Sequence, residues 1–119
     1  MKAFFVLAAL LVIASTGYGQ MTTMGTFTGD VTADGWSLNG GSGTRTHTVF
    51  VKFAKAFPKT PMVSLSLTSY DGAAGKDGNV RVSVKADQIT REGFAVIVST
   101  WGDSRVAGVA GNYIAHSTK

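Results

Sequence analysis

A chain of 119 residues with 11 Lys and Arg against 7 Asp and Glu has a formal charge of +4. That surplus is too small and too scattered to mark a nucleic-acid or anionic-membrane binder. The absence of cysteine excludes thiol catalysis, thiolate metal sites and disulfide support. With 15 glycines, only 2 prolines, many β-branched residues and no internal repeat, the composition suits one all-β domain with tight turns.

Met1-Lys2 is followed by the apolar run Ala3–Ala14 and then Ser15-Thr16-Gly17-Tyr18-Gly19. A basic start, a short apolar stretch and small residues form the pattern of a secretory signal peptide cut between Gly19 and Gln20. The run is short for a membrane span of about 20 residues. Residues 20–119 are therefore expected to form the mature, extracellular domain, with no membrane insertion after cleavage. There is no Asn-x-Ser/Thr sequon, so no N-glycan is expected. A small secreted domain without disulfides buries little of its surface, and oligomerisation is one remedy.

Met24–Gly29 reads as a short strand, Asp34-Gly35 as a turn, and Asn39-Gly40-Gly41-Ser42-Gly43 as a loop of high backbone freedom. From Arg45 the pattern tightens. From Val49 the odd positions are apolar, Val49, Val51 and Phe53, and the prolines at 58 and 61 end that segment. Val63, Leu65 and Leu67 face one side while Ser64, Ser66 and Thr68 face the other, a period of two. Tyr70–Asn79 is a long loop. Val80, Val82 and Val84 alternate with Arg81, Ser83 and Lys85. Phe94, Val96 and Val98 form one face of the clearest strand, with Ala95, Ile97 and Ser99 on its other face. Val106–Ala115 closes the chain. About six strands at this spacing predict an antiparallel sandwich or barrel. Ile97, Val106, Ala110 and Ile114 exceed what one core face needs, which predicts a second buried surface at a subunit interface.

Enzymatic motifs fail one by one. His47 and His116 lack metal-type neighbours, and Glu92 is the only glutamate. Gly75-Lys76 lacks the rest of a phosphate loop, since Tyr70 stands where its first glycine would be and Asp77 where its Ser or Thr would be. The acids of loop 71–79 do not have the spacing of a calcium hand, which leaves a weak cation site or a solvated turn. Neither metal nor cofactor is expected. Arg81 has the opposite parity to its valine neighbours, so its side chain leaves the core. An Arg fork beside an acid can grip vicinal hydroxyls, although a solvated strand charge is the plainer reading. Trp101 can offer its face to a sugar or pack in the core.

Set in order, Gly35-Trp36, Phe57, Pro61-Met62-Val63, Tyr70-Asp71, Asn79-Val80-Arg81-Val82, Gly93-Phe94, Thr100-Trp101-Gly102-Asp103-Ser104 and Tyr113-Ile114-Ala115 make a fairly specific set. The chain resembles the H-type lectin domain family, of the snail-agglutinin and discoidin C-terminal type. The resemblance implies a six-stranded antiparallel β-sandwich that assembles as a homotrimer. It also implies non-catalytic binding of glycans ending in galactose or N-acetylgalactosamine, at sites between neighbouring subunits. By the same resemblance, the sugar contacts come from the Asn39–Thr44 loop (Gly41 and Ser42), from Arg81, and from Gly102 with Asp103 beside it, next to Trp101. Two departures stand out. Gly102 replaces a His or other side chain, and the glycine loop carries no acid, so Asp103 and the backbone become the expected sugar contacts more than Trp101. Both departures also suit a structural or adhesive extracellular protein on the same scaffold. A small secreted enzyme is the third class, without a nucleophile–base pair or metal set to support it.

Overall fold

In a computed structural model, residues 20–118 are described; the expected signal peptide, residues 1–19, lies outside them. Alternating apolar and polar residues with little helical periodicity leave the backbone one economical way to satisfy its N–H and C=O groups, which is cross-strand pairing. Six strands result: β1 Met21–Asp30, β2 Arg45–Lys52, β3 Met62–Ala73, β4 Ser83–Asp87, β5 Gly93–Thr100 and β6 Arg105–Ser117. Among the described residues there is no helix. The strands form two antiparallel three-stranded sheets, ordered β1-β6-β3 and β2-β5-β4. The expected six-stranded antiparallel β-sandwich is the fold.

The core lies between the sheets. Phe94, Val96 and Val98 of β5 face Phe27, Val109, Tyr113 and Ala115 of the other sheet, and all are buried. Phe53, Phe57, Phe94 and Tyr113 form an aromatic cluster. The Phe53–Phe57 centroids are 4.9 Å apart and edge-on at 70°, and the Phe94–Tyr113 centroids are 5.1 Å apart at 72°. Both geometries suit the ring quadrupoles. In a chain without cysteine, each buried ring adds roughly 2–3 kcal/mol of apolar transfer. Tyr113 gains its place because its cross-strand partner is Gly25, whose missing side chain the ring occupies.

Several expectations need correction. The first strand is longer than Met24–Gly29. The third runs on through Ala73, so Tyr70–Ala73 is strand and not loop. A register shift between Leu67 and Ser69 makes Thr68 an extra residue. The bulge moves the inward positions from odd to even numbers, which brings Tyr70 against the core while Leu67 is left exposed. β4 begins only at Ser83, and Val80 is exposed. The four residues expected at one interface are dispersed. Val106 is fully buried within the chain, Ile97 lies on the outer face of the β2-β5-β4 sheet, and Ala110 and Ile114 lie on the outer face of the other sheet. Ala95 is also fully buried in the single chain, between its cross-strand neighbours Phe50 and Asp87. It needs no second subunit to cover it.

The register places three connections at one pole. Arg45 opens β2 opposite Thr100, which closes β5, and Arg105 opens β6 opposite Ala73, which closes β3. The β1–β2 connection (31–44), the β3–β4 connection (74–82) and the β5–β6 turn (101–104) therefore meet there. The first is pinned to β6: Leu38 is fully buried, its carbonyl accepts the Val106 N–H at 2.7 Å, and Trp36 Nε1 donates to the Val106 carbonyl at 2.8 Å.

Candidate functional site

The β5–β6 turn, Trp101-Gly102-Asp103-Ser104, is the centre of this pole. It turns sharply because Gly102 adopts φ 67°, a left-handed conformation that a side chain would strain. The two residues that bracket the tip, Thr100 and Ser104, are fully buried, and a buried hydroxyl requires a partner. Both find one in Arg81. The Arg81 backbone N–H donates to Ser104 Oγ at 3.0 Å, and Thr100 Oγ1 donates to the Arg81 carbonyl at 2.6 Å. Ser104 Oγ also donates to the Ala73 carbonyl, at 3.4 Å. Arg81 precedes β4 and lies outside the ladder, so these hydroxyls stand in for the strand that would otherwise satisfy its backbone.

With its backbone fixed, the Arg81 side chain leaves the core, as its parity predicts. It is paired, although still partly exposed. Nη1 and Nη2 donate to the two carboxylate oxygens of Asp77 at 3.2 and 2.6 Å. Among the described residues this is the only ion pair. Asp77 also accepts the Asn79 N–H at 3.0 Å. The Arg81 fork first, and the Asn79 N–H second, hold the Asp77 carboxyl well below the usual carboxylate range, and the same fork raises Arg81. Asp77 is thus taken up by Arg81, and among the described residues no three His, Asp or Glu side chains gather in a way that could hold a metal.

Arg81 approaches the turn at Gly102, where a side-chain Cβ would stand 3.5 Å from Nη1. Asp103 serves the other side of the turn. Its Oδ2 accepts the Lys76 N–H at 3.0 Å, while Oδ1 lies so close over Gly75 that a Cβ there would displace it. Asp103, Gly41 with Asn39 and Gly40, the Ala73–Lys76 segment and Arg105 line a cleft of about 580 Å³. Of the six residues expected at the site, the structure gathers Gly41 and Asp103 in this cleft and sets Arg81 against Gly102 at its edge. Trp101 is 42% exposed, so core packing does not describe it, and with the exposed Ser42 it lies outside the cleft lining.

Sequence reasoning missed Arg45. Its guanidinium donates from Nη1 to the carbonyls of Gly43 and Gly102, the latter at 2.9 Å, and from Nη2 to the Ser104 carbonyl. One side chain therefore ties the glycine loop to the Trp101–Ser104 turn, and Gly41 rests on its stem. Its Nε is buried without a hydrogen-bond partner. The available signal was an arginine directly after the glycine loop, at the head of a strand. The roles of Asp77, Thr100 and Ser104 were missed as well, because spacing along the chain does not reveal which backbone groups lack partners.

Residues 48–116 match the family model described as the H-type lectin domain. The chain belongs to the H-type lectin family. It is 35% identical over 83 residues to the product of "ATP synthase subunits region ORF 7" of Fuscovulum blasticum, a match that covers 70% of each. It is 36% identical over 87 residues to discoidin-2 of Dictyostelium discoideum, covering 73% of this chain and 34% of that protein. The solved structure of discoidin II from the same organism superposes with a TM-score of 0.76 at 31% identity, over 84% of this chain and 38% of that one. This H-type lectin domain thus spans about a third of the length of the discoidins it matches.

Proposed function

We propose that the chain is a secreted, non-catalytic lectin that recognises glycans ending in galactose or N-acetylgalactosamine, and that it works as a multivalent homotrimer. The observation that carries the proposal is the Arg81 fork, fixed at its backbone by Thr100 and Ser104 and facing the turn of Gly102 and Asp103. Two terminal N–H groups go to Asp77, and no described residue engages the rest of the guanidinium. A guanidinium held beside carboxylates supplies donors and acceptors at the spacing of neighbouring sugar hydroxyls. Asp103 supplies the acid that the glycine loop lacks. Trp101, exposed on the same turn, offers an aromatic face for the C–H side of the ring.

Each hydrogen bond to an exposed sugar replaces one to water and contributes about 1 kcal/mol. A handful of such bonds gives a single site on the order of millimolar affinity, and several sites in one assembly raise the working affinity by avidity. The outer face of the β1-β6-β3 sheet supports an assembly surface. Met24, Met62 and Ile114 are exposed there by 72, 79 and 48%, and large apolar residues grouped on one face favour association. The leader pattern of residues 1–19 supports secretion.

Two observations favour a second reading, an adhesive protein on the same scaffold without a sugar site: Gly102 contributes no side chain and Arg81 is already paired. Titrating galactose while following tryptophan fluorescence, with a Trp101→Phe variant to assign the signal, separates the two. The lectin reading predicts a saturable change from Trp101. Equal, unsaturating traces for galactose and glucose would favour the adhesive reading.

A further inference from the structure

The cleft beside Asp103 has a charge balance that a neutral sugar does not use. Its charged side chains are Lys76 and Arg105 against Asp103 alone. Both cations are exposed, and neither is within 4 Å of a described carboxylate, since Arg81–Asp77 is the only ion pair among the described residues. The acid is partly spent already, with Oδ2 on the Lys76 N–H and Oδ1 packed over Gly75. Asp77, on the β3–β4 connection, is engaged by Arg81 and Asn79. Gly40 lines the same cleft with open space where a side chain would stand, so a ligand can approach the backbone closely there. A cleft of about 580 Å³ has room for a sugar ring with a substituent.

Resting on the lectin reading above, we infer that this cleft takes a saccharide bearing an anionic group, a sulfate ester or a carboxylate, held by Lys76 and Arg105. Asp103 and the glycine backbone meet the hydroxyls of the ring, and the two cations meet the substituent. The cations lie on two separate elements, the β3–β4 connection and the head of β6, so the anion bridges the rim of the cleft. Such contacts are charge-assisted and stronger than those to a neutral hydroxyl. They are also exposed, so salt screens them.

The test uses the full-length protein and four probes: galactose, galactose 6-sulfate, a sialylated lactose and inorganic sulfate, each titrated at low and at high ionic strength. Because exposed ion pairs each contribute modestly, the anionic sugars are expected to bind roughly tenfold tighter than galactose at low salt. The preference should collapse near 1 M salt, where the Debye length is about 3 Å. In the double variant Lys76→Gln/Arg105→Gln the ratio of anionic to neutral affinity should fall to about one. Both side chains are exposed, and a melting curve confirms that the variant is folded. Equal binding of neutral and anionic sugars by the wild type would overturn this inference and leave the lectin reading standing. A preference that survives in the double variant would remove Lys76 and Arg105 from the site. Inorganic sulfate binding as tightly as the sulfated sugar would make the cleft a plain anion site. If none of the sugars binds, the lectin reading falls and this inference falls with it.

Discussion

Arg81 and Asp77 are joined by two hydrogen bonds, 3.2 and 2.6 Å long, across the connection that leads into β4. An arginine fork held at both tips has lost most of its rotamer freedom before any ligand arrives, so less ordering remains for binding to impose. Asp77→Asn should therefore weaken galactose binding several-fold while leaving the melting temperature close to the wild-type value. Calorimetric titration of both proteins, with melting curves alongside, checks this. Unchanged affinity would mean that Asp77 does not orient the arginine.

The same pair fixes the response to acid. Asp77 lies below the ordinary carboxylate value, first through the Arg81 fork and then through the Asn79 N–H. A depressed folded value means that the pair contributes above the unfolded value of about 4 and is lost as pH falls through the lower folded value. Binding through Arg81 should then be flat from neutral pH down to about pH 4 and decline only in stronger acid. A titration series across that range reads this directly. A fall already complete by about pH 5 would assign control to another group.

Arg45 should matter for both stability and binding, because it joins the glycine loop to the Trp101–Ser104 turn through three backbone carbonyls. Hydrogen bonds from a charged donor contribute about 1.5–3 kcal/mol each, and truncation also leaves the acceptors unpaired. Arg45→Ala should cost roughly 2–4 kcal/mol of stability and loosen both loops. Arg45→Lys should recover only part of this, since an ammonium cannot span the same carbonyls. Denaturant unfolding gives the first number, and amide exchange at residues 40–44 and 101–104 gives the second. Unaltered exchange in Arg45→Ala would contradict the coupling.

Thr100 and Ser104 make a narrower case. Each is fully buried and bonded to the Arg81 backbone. Thr100→Val keeps the shape and removes the hydroxyl, leaving the Arg81 carbonyl without that partner. A loss of about 1–3 kcal/mol is expected, together with weaker sugar binding through displacement of Arg81. Stability loss with unchanged binding would confine Thr100 to a structural role.

Much of the fold was legible because burial on one sheet face imposes a period of two, and Phe94-Val96-Val98 and Val49-Val51 keep it without interruption. What escaped followed from events the local pattern does not encode. The Thr68 bulge shifts parity within a continuous strand. Val106 is apolar whether it faces a subunit or the core, and only its pairing with Leu38 and Trp36 places it inside. At the site, the parity of Arg81 told that its side chain leaves the core, and the Thr-Trp-Gly-Asp-Ser run marked Gly102 and Asp103 as expected sugar contacts. The partners of Arg81 did not follow, because Asp77 reaches it around a turn, Thr100 reaches it from the end of β5 and Ser104 from the β5–β6 turn. Arg45 escaped for the same reason: its acceptors are backbone carbonyls, which have no signature in sequence.

The central claim is that the Arg81 fork, set against Gly102 and Asp103, binds galactose-type glycans. Its most direct test is a glycan array probed with the wild type and with Arg81→Ala, both shown by light scattering to be in the same assembly state. Wild type is expected to bind glycans ending in galactose or N-acetylgalactosamine, and Arg81→Ala to bind none. Arrays on which the two proteins bind alike, or on which the correctly assembled wild type stays blank, would contradict it.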